Sequence, residues 1–373
     1  MLLICVISAY KLLQVSGELL SAESIARAQM ATKGYYGTAL NQNTFQYKLA
    51  LLREIHPQVI ALGSSRVMQM RARFFLDKFA NMGGAVNSAY ELAQIVPYLN
   101  EAERPRLIIL GVDFWWFNPR VPSDTSFPEH FIKGDELTQA KLFSLAGMLT
   151  SGKVPLNYLF SNGQRDARMM GLQAQILQDG FGPDGSYHYT SLLEGAKPSQ
   201  DQKFARVRRM IRRGESIFAQ NKGIDEKAIK AFLKSISQLR EAGIEVVTFV
   251  PPLSQSAIDE LIVRDGDLLF RTELNRRLMA ASTRHFDFTE GRLFGSGDCE
   301  FIDGFHGGEV TYARILMGIQ KLGFQNLNLA LDELERVVEA GKGFAANPDQ
   351  RLGASREVDF LDIGCKKETP QMS

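Results

Sequence analysis

Apolar residues along this chain fall into short unbroken runs separated by longer stretches with helical spacing. PQVIALG is a run of strand length, bounded by Pro57 and Gly63. LIIL, Leu107 to Leu110, is a second such run and ends on Gly111. IEVVTFVPP is a third, and HFDFTE is a shorter one. Between the first two, VMQMRARFFLDKFA has helical spacing. A Gly83-Gly84 turn then feeds Asn87 and Ser88, residue types that cap a helix running to about Asn100. Residues 225–243 form an amphipathic pattern ending near Gly243. Residues 255–283, 308–323 and 325–342 are also predicted helices. Strands alternating with helices in this way predict a parallel sheet.

Residues 119–224 break the alternation. They hold several glycines and prolines and few strand-like runs, and they read as a long insertion with helices over 140–150, 165–178 and 201–218. The expected organisation is therefore an N-terminal helical segment over 1–52, an α/β domain over 53–322 with the insertion at about 119–224, and a C-terminal helix and tail over 323–373. The tail after Asn347 is polar, apart from a predicted strand at Val358–Ile363.

Composition narrows the chemistry. Of 373 residues, 45% are hydrophobic and 23% charged, which is globular. A net charge of +1 offers no global field for nucleic acid. No P-loop or GxGxxG is present, and no zinc pattern, so the reading calls for no metal or cofactor. Cys5, Cys299 and Cys365 have no CxxC spacing. Cys299 and Cys365 either pair in an oxidising compartment or stay as buried thiols. The N-terminal MLLICVISAYKLLQVSGELL has about thirteen apolar-leaning residues broken by Lys11, fewer than the ~20 a membrane-spanning helix needs. It is either an amphipathic or buried helix, or the end of a membrane anchor.

The candidate chemistry lies at the strand ends, where parallel α/β sheets bind their ligands. The first strand runs into Gly63-Ser64-Ser65-Arg66. This is either a capped strand-to-helix turn or a displayed serine nucleophile. Near the end of the α/β part, DGFH places Asp303 three residues before His306. A hydrolytic serine needs a base, and the base needs a carboxylate to hold its tautomer. Of the five histidines, His306 has an acid at that spacing.

Gly63-Ser64-Ser65, Asn81-Met82-Gly83, Gly111-Val112-Asp113 and Asp303-Gly304-Phe305-His306 fall in the order of the sequence blocks of the SGNH/GDSL hydrolases, and over 55–118 and 225–322 the chain resembles that superfamily. The Leu-Gly-Ser-Ser-Arg form, the anchor-like N-terminus and GVDFWWFN are most similar to its membrane-anchored, envelope-facing branch. That branch includes proteins similar to the D-alanyl transfer protein of teichoic acid synthesis and to alginate O-acetylation proteins. The resemblance implies a three-layer α/β/α sandwich with a mainly parallel, flavodoxin-like sheet. It implies Ser65 as nucleophile, His306 as general base and Asp303 as its orienter. The Ser65 N–H would be one oxyanion donor and an N–H of the Gly83-Gly84 turn the second.

The chain departs from the pattern where the family's third donor, an asparagine, is matched by Asp113. Either burial protonates Asp113, or Asn118 or another group substitutes, or only two donors exist. Arg66 either pairs with a carboxylate in the turn or steers an anionic substrate. Trp115, within three consecutive aromatics, is a candidate glycan platform beside the core reading. The Arg206, Arg208, Arg209, Arg212 and Arg213 run is either a solvated helix face or a surface for an anionic polymer or lipid. Two functions are therefore expected. One is a serine esterase or O-acyltransferase acting on a cell-envelope polysaccharide with a membrane-bound acyl-donor partner. The other is a non-catalytic module of the same fold that binds glycan or scaffolds an export complex. The resemblance implies an extracytoplasmic, anchored location, with a cytoplasmic one as the alternative.

Overall fold

The computed structural model describes residues 2–41, 44–100, 104–121, 139–155, 158, 166, 168–220, 223–265, 269–281, 284–346 and 357–367. Among them are nine strands: β1 (Tyr35–Tyr36), β2 (Val59–Gly63), β3 (Phe79–Gly83), β4 (Leu107–Gly111), β5 (Met169–Met170), β6 (Asp179–Phe181), β7 (Tyr187–Tyr189), β8 (Glu245–Val250) and β9 (His285–Asp287).

Five of these strands form one sheet in the order β3-β2-β4-β8-β9, parallel throughout. Every residue of β2, β3 and β4 is buried. Both faces are covered, which is why these strands read as continuous apolar runs rather than as alternation. Successive side chains point to opposite faces. Ile60, Leu62, Ile108 and Leu110 pack with helices Thr44–Ile55, Ala89–Asn100 and Glu226–Glu241. Val59, Ala61, Leu107 and Ile109 pack on the other face with helices Glu309–Lys321 and Leu331–Ala340. The result is a mixed α/β fold with helices on both sides of a parallel sheet. Helix Ala22–Thr32 shares the first of these cores with helix Thr44–Ile55, through Ile25 and Ala26.

Several elements differ from expectation. The helix predicted over 67–80 is two single 3-10 turns, Ser65–Val67 and Ala72–Phe74, followed by β3. The Asn81 side chain binds the Val67 and Met70 carbonyls, both at 2.9 Å, and accepts from the Gly83 N–H at 2.7 Å. This bracket holds the connection in an irregular path and leaves Phe79–Gly83 free to pair with β2. Over 165–178 only Leu172–Leu177 is helical, and residues 165 and 167 lie outside the described residues. Over 201–218 only Ala205–Arg213 forms an α-helix, ended by Gly214 in a left-handed conformation. The 255–283 stretch is two helices, Gln255–Asp265 and Leu269–Ala281, and the last predicted helix begins only at Leu331. The helices expected at 140–150 and after Ser88 are present as Gln139–Thr150 and Ala89–Asn100. The Ser88 hydroxyl accepts from Glu91 N at 3.1 Å, while Glu91 accepts from the Asn87 N–H at 2.7 Å.

The insertion contains a structure its sequence did not announce. β5, β6 and β7 join β1 in a second sheet, ordered β5-β1-β6-β7. Its strands are two or three residues long, too short to leave a period of two. Residues 358–363 are irregular around a turn at Phe360 and Leu361, and no strand forms there. Phe360 and Leu361 pack with Leu193, Phe204 and Ile302, and Cys365 forms a disulfide with Cys299. Most of the polar tail, 347–356 and 368–373, lies outside the described residues.

Candidate active site

The sheet order reverses direction at β2, whose neighbours on either side are β3 and β4. In such sheets the ligand crevice opens beyond the carboxyl ends of the strands at the switch point, here between the ends of β2 and β4. The first candidate serine stands at that place. Gly63 ends β2 with φ +150°, and a Cβ there would meet the Gly111 carbonyl oxygen at 2.9 Å. Glycine is needed both for the torsion and for the close approach of β4.

The two serines that follow differ in what their hydroxyls meet. Ser64, 3% exposed, turns its hydroxyl back to accept from Arg66 N at 3.3 Å and caps the 3-10 turn Ser65–Val67. Ser65, only partly buried, places Oγ 2.8 Å from His306 Nε2. His306 Nδ1 lies 2.8 Å from Asp303 Oδ2. The other Asp303 oxygen accepts from the Phe305 and His306 N–H groups at 2.9 and 2.8 Å. Burial works to raise the Asp303 carboxyl, but His306 and these main-chain donors outweigh it and hold the group below the usual carboxylate range. An ionised carboxylate on Nδ1 fixes the tautomer in which Nε2 can accept the Ser65 proton. The loop itself is closed by Ile302 N donating to the His306 carbonyl at 2.8 Å.

Arg66 and Asp113 form a buried pair. Arg66 NH1 lies 2.8 Å from Asp113 Oδ1, and both side chains are fully shielded from solvent. Burial pushes the Asp113 carboxyl up, and Arg66 opposes that shift. Of the two roles expected for Arg66, the geometry supplies the carboxylate partner.

The expected oxyanion donors are committed elsewhere. Gly83 N–H donates to Asn81 Oδ1, and Gly84 N–H donates to the Gly63 carbonyl at 2.9 Å. Val86 N–H also donates to Gly63, at 3.2 Å. The Gly83-Gly84 turn therefore has no spare donor to offer. Asn118 donates from its side chain to the Ala219 carbonyl at 2.7 Å and accepts from Arg120 N, which ties it to the insertion. Asp113 is bound to Arg66. The Ser65 N–H, in contrast, donates to no described residue. Trp115 is 8% exposed, packed edge-on against Phe114 and 5.5 Å above the Arg66 guanidinium. The aromatic segment Phe114–Phe117 is a 3-10 turn, not an extended strand, so three of its four rings turn inward. Trp115 presents no platform to solvent.

Residues not singled out in the sequence complete the setting. Asp201 Oδ1 accepts from Arg206 N at 2.9 Å and Val207 N at 3.0 Å, at the start of helix Ala205–Arg213. Its Oδ2 accepts from Gly304 N at 2.9 Å, inside the Asp303–His306 loop. An aspartate ahead of a helical run is a capping signal, but nothing in the sequence ties it to residue 304. Burial pushes the Tyr189 phenol up, and the nearby Asp303 adds to the shift. In the basic run, Arg208 and Arg212 pair with Glu260 at 2.9 and 2.6 Å. Arg206 and Arg209 make no ion pair among the described residues.

Among the described residues no group of His, Cys, Asp or Glu is placed to hold a metal ion, and no helix is long and apolar enough to cross a membrane. Helix Leu2–Ser16 buries Leu12 and Leu13 against Leu145, Val154 and Leu172, while Ile7, Tyr10 and Val15 are exposed. Neither the known protein-family models nor the curated proteins provide a match to this chain.

Proposed function

We propose that the chain is a serine-dependent acyl-ester hydrolase or O-acyltransferase of the SGNH type. The observation that carries this reading is the continuous relay from Ser65 Oγ through His306 to Asp303, each step at 2.8 Å, at the carboxyl edge of a parallel sheet. His306 Nε2 takes the Ser65 proton as Oγ attacks the ester carbonyl. The tetrahedral intermediate collapses, the C–O bond to the leaving alkoxide breaks, and His306 returns the proton to that oxygen. Water or a sugar hydroxyl then attacks acyl-Ser65 with His306 again as base, releasing a free acid or a new ester. Asp303 stays ionised and orients the ring.

The substrate would be a small acyl ester, such as acetyl, and the acceptor a cell-envelope polysaccharide, with a membrane-bound acyl-donor protein as partner. An extracytoplasmic site is supported by the Cys299–Cys365 disulfide, since such bonds persist in oxidising compartments. Exposed Ile7, Tyr10 and Val15 support membrane association through the N-terminal helix.

A second reading has its own observation. The commitment of the Gly83, Gly84 and Asn118 donors leaves the Ser65 N–H as the one uncommitted donor of those expected, and each missing donor costs about 3–4 kcal/mol where measured. That favours a non-catalytic module that binds glycan or scaffolds a complex, or a slow transferase. Fluorophosphonate labelling of the purified protein, beside Ser65→Ala and His306→Ala, separates them. Labelling lost in both variants supports the enzyme. A folded wild type that stays unlabelled supports the binding module.

A further inference from the structure

We propose that Arg66 is the positioning residue of this site, a buried fork that sets the distance between Ser65 and His306. The inference rests on the reading above that these two residues work together. Arg66 is 1% exposed and therefore meets no substrate. Its donors run to four separate acceptors. Nε donates to the Phe305 carbonyl at 2.9 Å, and NH1 to Asp113 at 2.8 Å. NH2 donates to the Pro251 and Pro252 carbonyls at 2.7 and 2.5 Å. Asp113 follows β4, and the two prolines follow β8. One side chain therefore joins the ends of β2, β4 and β8 to the loop that carries the base.

The path between the reacting groups is short. Ser65 precedes Arg66 in the chain, and Phe305 precedes His306. The nucleophile sits one peptide from the Arg66 backbone, and the base sits on the peptide whose carbonyl the Arg66 guanidinium holds. The next peptide of the loop is held as well, with Ser254 N donating to the Gly304 carbonyl at 3.1 Å and Gly304 N donating to Asp201. A lysine offers donors from a single point and cannot span this set of acceptors. Asp113 supplies the counter-charge that a buried guanidinium requires. At the position matching the family's third oxyanion donor, this chain has spent a side chain on holding Arg66.

The test uses the double variant Arg66→Met/Asp113→Leu. Removing both charges leaves no uncompensated ion, but the Phe305, Pro251 and Pro252 carbonyls lose their donor, so the thermal midpoint is expected to fall while the variant stays folded at 25 °C. The rate of fluorophosphonate labelling is expected to fall roughly 100-fold, the size of effect that a displacement of about 1 Å produces. The same pair of substitutions is then placed in a His306→Ala background. There the residual rate, far below wild type and read at high probe concentration over long times, is expected to stay unchanged, because a residue that acts through His306 has nothing left to position. Labelling of the folded double variant within threefold of wild type overturns the role of Arg66 and leaves the proposed function standing. An equal loss in both backgrounds also overturns it. No labelling of wild type overturns the function and this inference together. If the double variant does not fold, Arg66→Lys, which keeps a positive charge beside Asp113, is read against the same outcomes.

Discussion

The Gly304 N–H donates to the Asp201 carboxylate at 2.9 Å, so a residue of the long insertion grips the loop between Asp303 and His306. The same carboxylate caps helix Ala205–Arg213. A Cβ at Gly304 would meet the Val207 side chain at 2.7 Å, so helix and loop are in direct contact as well as hydrogen-bonded.

Asp201→Ala strips an acceptor from three main-chain N–H groups. Loss of a cap of this kind costs about 1–2 kcal/mol. The expected outcome is a lower urea midpoint together with a fall of at least about tenfold in serine labelling, since a loose loop misplaces the base. A stability loss with labelling unchanged would show that the grip serves the helix alone.

Gly63→Ala places a methyl 2.9 Å from the Gly111 carbonyl at a φ of +150°. Forcing a side chain into such a conformation costs of order 1–3 kcal/mol. Chemical denaturation should report that loss, and labelling should drop further than stability alone would cause, because Ser64 and Ser65 follow directly. Wild-type stability in this variant would argue that β4 yields easily.

Cys299 and Cys365 join the segment just before the Asp303–His306 loop to the C-terminal segment across 66 residues. Opening such a bond costs about 2–4 kcal/mol. Reductant, or the Cys299→Ala/Cys365→Ala pair, should lower the thermal midpoint. Alkylation followed by mass analysis should count two fewer free thiols in the untreated protein than after reduction in denaturant.

Lys48 is fully buried, with its ammonium nitrogen 2.9 Å from the Asn81 carbonyl, a hydrogen bond to the Gly185 carbonyl and the Phe181 ring 4.1 Å away. Burial pulls its pKa down to about 7, against a smaller opposing pull from Asp184. Between that value and the ordinary lysine value the unfolded chain binds a proton that the native state lacks. Stability from this group therefore rises with pH from about 7 to about 10, on the order of 1 kcal/mol per unit. Wild type measured against Lys48→Met by urea unfolding at pH 7, 8, 9 and 10 isolates the trend. A constant difference would refute it.

Where the chain made uniform apolar runs, the fold was legible. Val59–Gly63, Leu107–Gly111 and all of Glu245–Val250 but its first residue are buried, with Ile60 and Ile108 on one face of the sheet and Val247 on the other. Phe79–Gly83 was not legible, because FANMG contains no β-branched residue and its strand exists through pairing with β2. Ser65, Asp303 and His306 could be grouped from residue type and spacing, and the fold brings their side chains into hydrogen-bond contact. The oxyanion donors could not. Whether Gly83 N–H is spare depends on where the Asn81 amide points, and that is decided by Val67 and Met70 several residues away. Asp113 and Arg66 each stand out in the sequence, but the bond between them crosses 47 positions and has no local signature.

The Ser65–His306 contact spans 241 positions of sequence. A ribosome that has just exposed the serine still has the imidazole to make, and at roughly 5–20 residues per second that takes tens of seconds. Throughout that interval the proposed nucleophile lacks its proposed base. The same holds for any fragment that ends before the histidine. All of the chain from Ser65 to His306 is thus a condition of the proposed site, and an N-terminal fragment released early carries the Ser65 hydroxyl without the imidazole it meets in the fold.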